Sequence, residues 1–187
     1  MNPAFIIVLL LLAAVLAFLL TTYNGLVRMR NRVQNSWSDI DVTLKRRHDL
    51  IPNLVETARG YMAHERETLE NVTSARTQAV ATSGNIGARA VAEVALTGAL
   101  GNMLVTAERY PALRASENMK LLQEQLTSTE NRIAFARQCY NDSVREYNTT
   151  LASFPKNMIA GAFGFSPAIL FQAEEGSREN QQVAFGK

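Results

Sequence analysis

Residues 4–20 read AFIIVLLLLAAVLAFLL, an apolar run without one charged or strongly polar side chain. No other stretch restricts the chain so strongly. At about 1.5 Å per helical residue, the run is just long enough to cross the roughly 30 Å hydrocarbon layer of a bilayer. Inside lipid, each backbone N–H must find its partner within the chain, so a spanning run must be helical. A cleaved signal peptide would need a basic leading segment and a small-residue cleavage site at the end of the run. Met1-Asn2-Pro3 has no basic side chain, and the run leaves through Leu19-Leu20-Thr21-Thr22-Tyr23 without an A-x-A-like site. A buried core helix usually keeps some polar face, and this run has none. The reading is a retained single-pass anchor over residues 1–24, then a helical domain over 25–153 and a membrane-proximal aromatic segment with a polar tail over 154–187.

The flanks set the expected orientation. Arg28, Arg30 and Arg32, then Lys45, Arg46 and Arg47, come after the run, and no basic residue precedes it. By the positive-inside rule the long C-terminal part faces the cytoplasm and the N-terminus lies outside. Tyr23 sits where an interfacial aromatic would, and Arg28 and Arg30 are placed to meet anionic headgroups.

Beyond the anchor, the rest of this 187-residue chain has the usual length of one domain. With 19 basic and 17 acidic residues the net charge is +2, which argues against general nucleic-acid binding. A single cysteine, Cys139, excludes an internal disulfide framework. From Leu26, residues spaced alternately four and three apart are Leu26, Arg30, Val33, Trp37, Ile40, Leu44, Arg47, Ile51, Leu54, Ala58 and Tyr61. Most are apolar, as in the seam of a helix packed at near-coiled-coil angles. Pro52 lacks an N–H and restrains its predecessor, so a break or kink is expected near 49–51, with Asp49 as cap of a second helix reaching about Ala81. Because the seam stays in phase across Pro52, a kinked continuous helix is the other possibility.

The Thr82-Ser83-Gly84-Asn85-Ile86-Gly87 stretch is the clearest loop signal. The next segment, about 88–110, is small and apolar, with Gly98 and Gly101 permitting close approach of a neighbouring helix. Pro111 breaks it. Residues 116–150 then form an amphipathic helix with Ser116 as N-cap and Met119, Leu122, Leu126, Ile133, Ala136, Tyr140, Val144, Tyr147 and Leu151 inward. The expected fold is all-α: a transmembrane helix, then an elongated antiparallel bundle of four up-and-down helices, or one long kinked helical hairpin if the proline breaks are only kinks. Residues 154–171, FPKNMIAGAFGFSPAILF, hold four of the eight phenylalanines. They either dip Phe163, Phe165, Ile169 and Phe171 into headgroups or cap the open end of the bundle. Residues 174–187 are polar, and disorder is expected there.

No catalytic constellation survives inspection. A two-metal bundle site needs Glu-x-x-His pairs, but Lys45 and Tyr61 precede His48 and His64 by three. The zinc-protease pattern beginning at His64-Glu65 fails at Thr68. Cys139 reads as a buried structural thiol, and Gly84-x-x-Gly87 lacks the Lys-Ser/Thr of a phosphate loop. One polar group remains: Asp39, Asp41, Arg47 and His48 on the first helix with Glu130, Arg132 and Asn141 on the last. It is either a structural network, with pairs such as Arg47 and Glu130, or a binding patch.

Three blocks resemble the LemA family: YNGLVRMRNRVQNSWSDIDVTLKRRHDLIPNLVETARGYMAHE from Tyr23, AERYPALRASENMKLLQEQLTSTENRIAFARQCYNDSVREYN from Ala107 and FPKNMIAGAFGF from Phe154. The resemblance implies one N-terminal helix in a bacterial cytoplasmic (inner) membrane, an all-α up-and-down bundle and a cytoplasmic domain; the family has no established enzymatic activity, cofactor or catalytic residues to carry over. The functional expectation is a non-enzymatic scaffold in the lipid bilayer that self-associates as a homo-oligomer. The alternatives are an adaptor for a membrane-protein partner and a small-ligand sensor with a polar site in the bundle core.

Overall fold

A computed structural model describes residues 3–82 and 84–172; the polar tail expected at 174–187 lies outside the described residues. The elements are α1 (Pro3–Arg59), α2 (Arg66–Ala81), α3 (Ile86–Ala107), α4 (Pro111–Ala115), α5 (Glu117–Ala152) and α6 (Lys156–Ala162), and no strand occurs among the described residues. The chain is all-α, as expected.

Helix α1 runs unbroken through Gly25 and through Pro52, so the expected boundary at 49–51 is absent and Asp49 caps nothing. The physical reason lies in one hydrogen bond. Pro52 has no N–H to give the carbonyl four residues earlier, which is that of His48. The Arg76 Nε of α2 donates to the His48 carbonyl oxygen at 2.7 Å instead. A side chain from another helix thus satisfies the acceptor that proline orphans. Arg76→Met is expected to destabilise the protein by about 1–3 kcal/mol, the cost of an unsatisfied buried acceptor. Pro52→Ala supplies a local N–H and should make the same arginine replacement nearly neutral. A double-mutant cycle in urea checks this; additive effects would contradict it.

The helix ends instead at Arg59, and Gly60 to Glu65 make the turn, with the Met62 N–H bonded to the Ala58 carbonyl at 2.8 Å. The turn shifts the phase of the seam by one residue. Tyr61, expected inward, is 45% exposed, and Met62 is fully buried in its place. Glu65 then accepts from Arg109 and from the Tyr110 hydroxyl, both at 3.1 Å, tying this turn to the end of α3. Asn85 caps α3, its side-chain oxygen accepting from the Ala88 N–H at 3.0 Å, which closes the expected loop. Pro111 opens α4 at a position where its missing N–H costs nothing.

The chain divides into two compact units, residues 1–46 with 128–170 and residues 47–127 with 171–187. In the second, five helices share one core: Ile51, Leu54 and Ala58 of α1, Leu69, Val72 and Ala79 of α2, Leu96, Leu100 and Met103 of α3, Leu113 of α4, and Met119 and Leu126 of α5. Helix α3 is long and apolar enough to cross a membrane, but it is a core helix here, burying Arg89, Glu93, Leu96, Leu100 and Met103. Gly98 and Gly101 face away from that core, and a Cβ on either would meet nothing within 4 Å, so the neighbouring helix expected at these glycines is not found among the described residues.

The first unit holds parts of α1 and α5 together with α6. Arg32 pairs with Glu146 at 3.0 Å, Ser36 lies 3.3 Å from Ser143, and the Trp37 and Tyr140 rings are 5.4 Å apart. Numbers that rise on α1 while they fall on α5 make the pair antiparallel. Leu26, Val33, Ile40 and Leu44 supply the α1 side and Ile133, Tyr140, Val144, Tyr147 and Leu151 the α5 side of the buried seam. Bundle packing is therefore present, as an antiparallel α1–α5 pair in the first unit and a shared helical core in the second. Cys139 is exposed rather than buried, since it precedes the seam residue Tyr140 and is turned outward by the helical period.

Candidate functional site

Each unit holds one arrangement with functional potential. In the second unit, the 4-3 spacing of α1 carries Arg47 into the core at 1% exposure, a place normally filled by an apolar side chain. The same spacing on α3, through Arg89, Glu93, Leu96, Leu100, Met103 and Ala107, carries Arg89 and Glu93 inward. Glu93, 5% exposed, takes Arg47 Nη2 on one oxygen and His48 Nε2 at 2.9 Å on the other, and Arg89 Nε lies 4.0 Å away. Arg47 Nη1 donates to the Thr97 hydroxyl at 3.1 Å, one turn further along α3.

An ionised carboxylate only accepts, so His48 Nε2 carries the proton. Burial alone would raise the Glu93 pKa; the His48 hydrogen bond and the Arg47 charge outweigh it and hold the carboxyl below the ordinary glutamate value. The group is thus an anion held by the Arg47 guanidinium and the His48 ring inside an apolar core. Buried charges of this kind fix the register of packed helices, because any slip would strand them.

Glu93 is absent from the polar group expected from sequence because it sits in the small apolar run VAEVAL. The signal that could have found it is the seam itself: extended backward from Met103 in steps of three and four, it meets Glu93 and then Arg89. Of the expected polar group, Arg47 and His48 come together on Glu93. Asp39, Asp41 and Arg132 are exposed, Glu130 is half-buried and Asn141 is buried, all in the other unit.

The second arrangement lies in the first unit, where the apolar run ends. The outward surface of α1 before Thr21 is apolar and wholly unburied. After α5, the chain passes through Phe154-Pro155 into α6 and returns to Tyr23. The return depends on Gly164, the one described residue with positive φ (69°). The Phe165 N–H bonds to the Ala160 carbonyl at 3.0 Å and the Gly164 N–H to that of Gly161 at 3.4 Å, the paired bonds of a Schellman cap that needs a left-handed residue.

That turn sets Phe163 and Phe165 against Tyr23, with ring centroids 5.0 and 5.7 Å away, and puts Phe165 under the Arg30 guanidinium at 5.4 Å. Asn148 then holds the Ala168 backbone through two bonds, at 2.8 and 2.9 Å, and the Tyr140 hydroxyl donates to the Ile169 carbonyl at 2.7 Å. Of the residues expected at a membrane interface, the structure thus brings Tyr23, Arg30, Phe163 and Phe165 together. Phe171 departs from that group: it is 3% exposed and belongs to the second unit. Phe154, Met158, Phe163 and Ile169 stay exposed.

The sequence pattern of the LemA family matches residues 36–185. Magnetosome protein MamQ 2 of Paramagnetospirillum magneticum is 28% identical, over 91% of this chain and 72% of its own length. Magnetosome protein MamQ of Magnetospirillum gryphiswaldense is 27% identical, over 82% of this chain and 66% of its own. Protein LemA of Metamycoplasma hominis is 27% identical, over 81% of this chain and 69% of its own.

Proposed function

Because this chain belongs to the LemA family, we propose that it is a non-enzymatic scaffold, held by one helix in the bacterial inner membrane with its domain in the cytoplasm, and assembled with copies of itself. The observation that carries the reading is the outer face of α3. Val91, Val94 and Val105 are more than half exposed there, and Gly98 and Gly101 open the face between them. Its outward residues recur at helical spacing, the pattern of a surface that another helix covers. A second copy anchored in the same membrane presents the same face at high effective concentration. Relatives named as magnetosome proteins, rather than as enzymes, are in keeping with a structural role.

The test uses full-length protein in intact membranes. In a Cys139→Ser background, Val94→Cys is expected to form an intermolecular disulfide on mild oxidation, whereas Val42→Cys, exposed on α1, is not. Val105→Glu should abolish the crosslink by placing like charges across the contact. Equal crosslinking at positions 94 and 42, or a strict monomer by light scattering over a wide concentration range, would overturn self-association.

A further inference from the structure

A cleft of about 340 Å³ opens where the apolar run of α1 gives way to polar residues. Its walls include Thr21, Thr22, Gly25 and Arg28 of α1, Thr150 near the end of α5 and Lys156 at the start of α6. Gly25 helps create it: a Cβ built there meets nothing within 4 Å, so the missing side chain is open space. Arg28 stands one turn beyond Gly25, and helical side chains lean toward the N-terminus, so its guanidinium leans back over that opening.

The polar groups around the cleft are incompletely used. Thr21 gives its hydroxyl hydrogen to the carbonyls of Ala17 and Phe18, and Thr150 gives its own to Glu146. Thr22 is only 8% exposed and makes no hydrogen bond through its side chain among the described residues. Neither Arg28 nor Lys156 has a carboxylate within ion-pair distance among them, although other basic side chains from Arg32 to Arg145 do. No Asp or Glu occurs before Asp39, and none occurs between Glu146 and Glu174. Glu146 is already engaged by Arg32. Among the described residues, Arg28 and Lys156 therefore place positive charge at the cleft without an acid beside them.

We propose that the cleft binds the phosphate of an anionic phospholipid headgroup, with Arg28 and Lys156 as its two cationic arms and the Thr22 hydroxyl as a further donor. The location favours a lipid. Thr21 and Thr22 directly succeed the last apolar residue, and Arg28 lies about 12 Å further along the helix axis, a span comparable to the headgroup layer. The Tyr23, Phe163 and Phe165 rings beside it are residue types that settle at that level. Basic clefts beside membrane helices on the cytoplasmic side suit anionic headgroups, whose charge an interfacial arginine and lysine meet together. The site rests on the membrane-anchored reading and gives that anchor a preference among lipids.

The experiment takes full-length protein in a neutral detergent and titrates it with short-chain phosphatidylglycerol, phosphatidylcholine or inorganic phosphate, reading the thermal unfolding midpoint and the lipids retained in native mass spectra. Phosphatidylglycerol is expected to raise the midpoint and to stay bound, with phosphatidylcholine and phosphate far weaker. The Arg28→Gln/Lys156→Gln variant should bind phosphatidylglycerol roughly tenfold or more weakly. Gly25→Leu, which fills the opening without altering charge, should weaken it similarly while keeping the helical spectrum. Lys120→Gln, away from the cleft, should bind as the parent does. Equal response to phosphatidylcholine, or undiminished binding by the double variant, overturns the proposal. Equal response to inorganic phosphate overturns the lipid as ligand. Failure of the anchor reading would show separately, as extraction of the unaltered protein from vesicles by carbonate.

Discussion

Glu93→Gln is expected to lower the stability of the full-length protein by about 3–5 kcal/mol, the cost of removing one partner from a buried ion pair. The glutamine keeps the shape and removes the charge. Arg47 and Arg89 then lose the carboxylate between them, and His48 Nε2 loses its anionic acceptor. The opposite truncation, Arg47→Met, should cost less. It leaves Glu93 with His48 at 2.9 Å and Arg89 at 4.0 Å, and an unbranched apolar chain occupies the arginine's path through the core. Urea unfolding in micelles, monitored by circular dichroism, gives both values. A Glu93→Gln protein as stable as its parent would show that the cluster does not hold the helices.

Acidity probes the same group independently. The folded-state pKa of Glu93 is depressed despite its burial, so its contribution is present above the ordinary glutamate range and is lost as pH falls through the folded value. The stability gap between parent and Glu93→Gln is therefore expected to be full at neutral pH and to shrink on acidification. A gap that stays constant from neutral to strongly acidic pH would mean that the charge is not the source.

Removal of residues 1–20 should move the protein almost completely from the carbonate-resistant membrane pellet to the soluble fraction. The apolar surface of residues 3–20 is bare, as expected of a segment that lipid covers. A subtler version is Leu12→Arg, since one arginine at the middle of a span costs about 2.5–3.5 kcal/mol of insertion free energy. Release should then be partial, and adding Val8→Arg should make it complete. The exposed thiol of Cys139 reports the orientation in the same preparations. On the proposed orientation, a membrane-impermeant maleimide should label it only after the membrane is opened. Labelling in sealed cells would place the domain outside.

The apolar helix, the all-α class and most of the buried seam are legible from residues alone. A helix imposes its own period, so Leu26, Val33, Ile40, Leu44, Ile51 and Leu54 can be placed inward without knowing what they touch. The same arithmetic on α5 places Met119, Leu126, Ile133, Tyr140, Val144, Tyr147 and Leu151. Expectations that depend on a second element fare worse. Proline removes a local bond and so reads as a boundary at Pro52, and nothing in its neighbourhood announces that Arg76, from another helix, replaces that bond. Glu93 is hidden by its apolar run, and Phe171 groups with its aromatic neighbours in sequence although it is buried and belongs to the other unit.

Local propensity and hydrophobic period thus determined which segments are helical, where the lipid-compatible stretch lies and which face of each long helix turns inward. The tertiary structure alone decided which charge meets which, how the proline is accommodated and where the returning aromatic segment stops. The first group depends on interactions within a few residues, whose geometry the backbone prescribes. The second depends on the rotation and register of one helix against another, which are set by the sum of many contacts far apart in the chain.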